Sequence, residues 1–139
     1  MSKLTDADIK KLEGYWIDLE KLKRDMRYRE YELLHPYKEH DHNMGGGKAN
    51  RISDQTGDRA MILADDRTYN NLKNIILTIE GLYPTLTEDQ QTIVKMRYWD
   101  KDGCYEWGHI ADALFMSVQR VLRMRNNIID ETARRIGWI

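Results

Sequence analysis

Six side chains towards the carboxy-terminal end of the chain carry groups that could touch a phosphate or a base edge: Ser117, Gln119, Arg120, Arg123, Arg125 and Asn127. The arginine guanidinium is a planar fork that matches phosphate oxygens and the major-groove edge of guanine, and the Gln119 amide matches that of adenine. At helical spacing Gln119, Arg120, Arg123 and Asn127 fall on one side while Val121 and Ile128 fall on the other. The pattern predicts an exposed polar face and a packed apolar one. Ser117 is an N-cap residue type, placed where the free amides of a helix N-terminus would approach an anion. Contact with duplex DNA through a helix in the major groove is the chemistry that these types and this spacing could do.

Charge must act locally for that to work. The chain carries 22 Lys and Arg against 23 Asp and Glu, a formal net charge of −1, which gives no global attraction to nucleic acid. Between Ser117 and Arg135, however, five arginines (Arg120, Arg123, Arg125, Arg134 and Arg135) stand against Asp130 and Glu131.

Other candidate chemistries are less well formed. His35, His40, Asp41 and His42 could ligate a metal, but they lack a helical histidine pair or a paired cysteine motif and read as a solvated loop, so no metal site is expected. Gly45, Gly46 and Gly47 followed by Lys48 and Ala49 have the wrong spacing for a phosphate-binding P-loop, and Ala49 stands in place of the hydroxyl. This stretch is either a hinge or a flexible basic arm in which Lys48 and Arg51 touch the DNA backbone. Asp100, Lys101, Asp102 and Gly103 repeat part of a calcium loop without its remaining ligands and form a turn. Cys104 is the single cysteine and cannot make an intrachain disulfide. With no paired carboxylates in an apolar setting and no nucleophile near a base, no catalytic residues, no cofactor and no enzymatic activity are expected.

The elements that must position these residues are helical. A chain of 139 residues with 32% charged and 9% aromatic side chains buries little per residue, which favours long helices and an oligomer over a compact enzyme. The pattern predicts a helix over 5–34, capped by Thr5 or Asp6 and stopped by Pro36. Leu12, Leu19, Met26 and Leu33 recur along it every seven residues, with Trp16 and Leu22 between them; this stripe packs on its own domain or dimerises. A second helix, capped by Ser53, is expected from Asp54 to Gly81. Its apolar set is Met61, Ile62, Tyr69, Leu72, Ile75, Ile76 and Ile79, and Asp65, Asp66, Arg67 and Asn70 form its solvated side.

Thr87 and Gln90 have capping-box spacing and begin a third helix with Ile93, Val94, Met96 and Tyr98 inward. Then come a helix over Tyr105–Ala113, a turn over Leu114–Met116 and a helix from Ser117 to Ile136, which is a helix-turn-helix, and Trp138 and Ile139 fold back. The expected fold is all-α, divided as 1–44 (long helix and loop, an oligomerisation element), 45–85 (hinge and connecting helix) and 86–139 (helix-turn-helix). No apolar run approaches the roughly eighteen residues of a membrane span, and the first residues lack a signal-peptide core, so a cytoplasmic protein without a membrane partner is expected.

The series Leu86, Thr87, Glu88, Asp89, Gln90, Gln91, then Met96 to Trp99, Tyr105, Glu106, Ile110, Ala111, Leu114, Ser117 and Val121 is similar to region four of bacterial sigma factors, a module that reads promoter DNA in the major groove. Over nearly its whole length the chain resembles the RinA-type transcriptional activators of temperate phages of Gram-positive bacteria. The matching features are the long first helix, the Asn43 to Ser53 stretch with its glycines, the connecting helix and the sigma-like module. The resemblance implies a phage regulator that binds double-stranded promoter DNA in the host cytoplasm and activates late packaging and structural genes.

Combined with the residue pattern, it implies a homodimer in which Ser117 grips phosphate, Gln119, Arg120 and Arg123 read base edges, and Asn127 and Arg125 touch backbone. The turn departs from the family pattern at Phe115, where glycine is common. Two other roles suit the same features: a small terminase subunit that recognises packaging-site DNA, and an interaction protein that uses the module to bind host RNA polymerase.

Overall fold

Thr5 opens the first helix through a reciprocal cap. Its Oγ1 accepts from the Asp8 amide at 3.2 Å, while the Asp8 carboxylate accepts from the Thr5 amide at 3.0 Å. That helix, α1, spans Asp6–Ile17. The computed structural model describes residues 4–36 and 55–139, and among these every regular element is helical. After α1 come α2 (Leu19–Leu34), α3 (Gln55–Asp65), α4 (Arg67–Leu82), a 3-10 turn (Tyr83–Thr85), α5 (Glu88–Arg97), α6 (Trp107–Leu114) and α7 (Val118–Ile136). The fold is all-α. None of these helices is long and apolar enough to cross a membrane.

Two helices expected to be continuous are each broken. At Asp18 (φ −94°, ψ 17°) the first one is interrupted, and there the Trp99 indole donates to the Trp16 carbonyl at 2.8 Å, placing an outside donor in the helical ladder. The break lets α1 pack on α7 while α2 packs on α4. The second is interrupted at Asp66, whose carboxylate accepts from the Tyr69 amide at 2.7 Å and caps α4. Arg29 of α2 grips the same carboxylate with both arms of its fork, at 2.7 and 3.1 Å, so Asp66 is a helix start and a tether, not part of a solvated side. Asn70 closes the end of α3 by donating to the Ala64 carbonyl at 2.8 Å.

Re-aiming α3 removes it from the helical phase that serves Ile76 and Ile79. Met61 and Ile62, expected inside, are therefore 65% and 42% exposed. Gly81 does not end α4, which runs on to Leu82; the stop comes at the 3-10 turn, where Pro84 sits and the Thr85 hydroxyl donates to the Leu82 carbonyl at 2.6 Å. The Thr87–Gln90 capping box of α5 forms as its spacing predicts.

Two hydrophobic cores result. The larger gathers Leu12, Trp16 and Leu19 with Ile76, Ile79 and Leu82 from α4, Val94 and Tyr98 from the α5 end, and Ile128, Ile129 and Ala133 from α7. Ile93, Ile110, Ala111 and Val121 make the smaller. Adjacent residues of α5, Ile93 and Val94, thus serve different cores, and α7 runs through both. The heptad positions Leu12 and Leu19 are buried within the chain's own fold, and Met26 is packed against the same core. Residues 86–139 share the larger core with the helices before them, so residue 86 is no packing boundary. Of the two last residues, expected to fold back together, Trp138 lies edge-on to Tyr15 at 6.3 Å and beneath the Lys11 ammonium, while Ile139 is exposed and joins neither core.

At the centre, Trp16 is fully buried and its indole donates to the Thr132 hydroxyl at 3.1 Å. Thr132, also fully buried, donates a hydrogen bond from its hydroxyl to the Ile128 carbonyl at 2.7 Å. Both polar groups are satisfied without water.

Candidate nucleic-acid interface

The helix pair α6–α7 is held from behind by α5. The Tyr105 amide donates to the Met96 carbonyl at 3.1 Å, and the Arg97 guanidinium to the Tyr105 carbonyl at 2.8 Å. These bonds fix where α6 begins, two residues later than its spacing suggests. Ile110 and Ala111 then reach Ile93 and Val121 in the smaller core.

The turn between the helices closes in a Schellman arrangement. The Phe115 amide donates to the Asp112 carbonyl at 3.2 Å and the Met116 amide to the Ala111 carbonyl at 3.1 Å. Phe115 occupies the position that glycine usually takes, with φ 56° and ψ 44°, and its side chain is 95% exposed. Met116 turns inward against the smaller core. Ser117 then caps α7, its Oγ accepting from the Arg120 amide at 3.2 Å, in the register its spacing predicts. The hydroxyl proton stays available to an outside acceptor.

Along α7 the two faces separate as expected. Val121 and Ile128 are fully or almost fully buried, and Gln119, Arg120, Arg123 and Asn127 are exposed. No side-chain partner engages Arg120 or Arg123 among the described residues.

Arg125 does not belong to this surface, and its expected backbone contact is corrected. It lies four residues after Val121 and three before Ile128, which is the packed phase of the helix. Its guanidinium pairs with Glu13 of α1 at 3.2 Å, the two side chains being 18% and 16% exposed, and sits 5.3 Å from the Trp107 ring centroid. The Tyr98 hydroxyl donates to the other Glu13 oxygen at 2.6 Å. Burial, and then the neighbouring Glu13 carboxylate, push that hydroxyl far above the ordinary tyrosine range, which keeps it a donor.

Arg134 and Arg135 are committed too. Both grip Glu131, Arg135 at 3.1 Å, and together they hold the Glu131 carboxyl below its ordinary range, Arg135 contributing most. Of the five arginines in this stretch, Arg120 and Arg123 alone keep uncommitted charge. From Trp107 to Ile129 the chain has a single carboxylate, Asp112.

Glu13, Tyr98, Arg97 and Trp107 hold the helix pair in place and were not singled out as functional residues. The available signal was Glu13 itself, a charge set between Leu12 and Trp16 on the inward side of α1. The Arg97 guanidinium lies 4.5 Å from the Trp107 centroid, so α5, α6 and α7 meet at one indole. Lys48 and Arg51, with the glycines between 45 and 47 and His40, Asp41 and His42, lie outside the described residues. His35 ends α2 and packs on Tyr31, ring centroids 4.5 Å apart. Among the described residues no cluster of three or more His, Cys, Asp or Glu is placed to hold a metal. Cys104 is exposed in the loop before α6.

The chain belongs to the family described as Protein of unknown function (DUF722), whose model matches residues 9–134. No curated protein and no solved structure matches it.

Proposed function

From a family whose description assigns no activity, we propose that this chain is a sequence-specific DNA-binding transcriptional regulator in which α7 enters the major groove of promoter DNA. One observation carries the reading. Gln119, Arg120, Arg123 and Asn127 share the open face of a helix whose opposite face is locked by Val121 and Ile128, and Arg120 and Arg123 on that face have no side-chain partner among the described residues.

In this reading the Ser117 hydroxyl donates to a phosphate, and Gln119, Arg120 and Arg123 reach base edges. Asn127, further along α7, touches backbone. The resemblance to sigma region four supports the module, and that to RinA-type activators supplies the biological setting: a phage protein acting as a homodimer in the host cytoplasm on late packaging and structural genes.

The test is selection of duplexes from a random-sequence library by the full-length chain, followed by titration of the recovered site and of random duplex at fixed salt. Arg120→Ala and Arg123→Ala are each expected to weaken the recovered site by about 1–3 kcal/mol, more than random duplex. Equal losses on both would reduce these arginines to phosphate contacts. A wild-type chain that enriches no sequence would refute the reading.

A further inference from the structure

Phe115 is the one non-glycine residue with positive φ among the described residues; the others, Gly103 and Gly137, are glycines. It is also the only phenylalanine in the chain. A left-handed conformation disfavours a bulky side chain, and a position closing a helix by the Schellman route is normally glycine or asparagine. Burial usually offsets such strain, but here the ring is 95% exposed and rests on no core. Neither backbone geometry nor folding benefits from an aromatic ring at this place.

We propose that Phe115 is a DNA-contacting residue, its ring packing against an apolar group of the duplex, a thymine methyl or a deoxyribose, at the edge of the groove read by α7. The proposal rests on the reading of α7 as the recognition helix and names a further contact for it. Phe115 lies two residues before the Ser117 cap, with inward-turned Met116 between them. Val118, just after the cap, is partly exposed as well, so the turn offers apolar surface beside polar reading groups. The uncommitted charges of Arg120 and Arg123 follow within the first two turns, which favours a polyanion carrying apolar patches over a neutral protein surface.

Two full-length variants separate the ring from the backbone that holds it: Phe115→Gly and Phe115→Asn, the residue types that accept this conformation. Both are expected to keep their helix content and to melt at or a few degrees above the wild-type temperature. On a duplex recovered by the wild-type chain from a random library, both are expected to lose about fourfold or more in affinity, the effect of one apolar group left unburied.

Single thymine-to-uracil replacements along that duplex remove only the methyl. A position where uracil weakens the wild type but not Phe115→Gly assigns the thymine methyl; loss in both variants without such a position assigns the deoxyribose. Unchanged affinity in both variants overturns the proposal, and does so equally if they instead lose retention on RNA polymerase, which would make Phe115 a protein contact. Failure of the two readings is distinguishable: Arg120→Ala losing affinity while Phe115→Gly does not sinks only the role of Phe115, whereas a wild-type chain that selects no duplex sinks the DNA reading itself.

Discussion

Glu13 and Arg125 are 112 positions apart in the chain and 3.2 Å apart in space. Their pairing ties the first helix to the middle of α7, and with the Tyr98 hydroxyl on the second Glu13 oxygen it adds to the packing of Val121 and Ile128 that already fixes the roll of α7. That roll decides which residues α7 shows to its surroundings.

Removing either partner leaves the other shielded and without its opposite charge. A fully buried pair broken this way costs about 3–5 kcal/mol; with both side chains partly exposed, Glu13→Ala and Arg125→Ala are each expected to lose about 2 kcal/mol in urea unfolding. The double variant should lose less than the sum. Arg125→Ala should also leave the DNA affinity of the folded protein near wild type, while Arg120→Ala shows the reverse: normal melting and weak binding. A loss of affinity in Arg125→Ala without loss of stability would return Arg125 to the interface.

Thr132 offers a sharper stability test. Valine matches its shape but cannot accept from the buried Trp16 indole, so Thr132→Val is expected to cost about 1–3 kcal/mol, the penalty of an unsatisfied buried donor. Thr132→Ser keeps the acceptor and loses only a methyl, about 1 kcal/mol. Chemical unfolding of both variants decides it, and equal costs would mean that packing, not the hydrogen bond, holds α1 to α7.

Acid should destabilise the fold in a defined way. The Arg29 guanidinium, followed by the Tyr69 amide, holds the Asp66 carboxyl below its ordinary range, and Arg135 with Arg134 does the same for Glu131. A carboxyl that is more acidic folded than unfolded stabilises the fold fully above the unfolded pKa, about 4, and loses that contribution as pH falls through the lower folded value. Melting temperature is thus expected to decline below about pH 4. Asp66→Asn keeps a capping residue but not the ion pair, so it should lower stability at neutral pH and flatten the acid decline. An unchanged slope against pH would assign the decline to other groups.

Salt provides the last discrimination. If Arg120 or Arg123 touches phosphate, its replacement by alanine should lessen the slope of log affinity against log salt by about 0.9. Arg134→Ala, removing a charge already held by Glu131, should leave the slope as it is.

What the sequence made legible was local. The capping box at Thr87 is spelled within four residues, as is the Ser117 cap, the cap of the first helix narrows to Thr5 or Asp6, and the exposed and buried phases of α7 follow from helical periodicity alone. The break at Asp18 was not legible, because the outside donor at the Trp16 carbonyl, Trp99, comes from 83 residues away; the Asp66 cap is local, reaching the Tyr69 amide three residues on, and what was hidden there is the tie to Arg29, 37 residues away. Arg125 was misplaced for a related reason. Its phase was readable from Val121 and Ile128, but an arginine on an apolar face becomes plausible only once a remote carboxylate, Glu13, is there to receive it.

Because α7 runs through both cores, its exposed face is not portable. A fragment beginning at Leu86 would keep Val121 covered by Ile93 and Ile110 but would strip the lower half of α7, at Ile128, Ile129 and Ala133, of Leu12, Trp16, Ile76 and Ile79. Such a piece would carry a greasy strip into water and clump. Grafting this surface onto another scaffold therefore means transplanting its first and fourth helices as well.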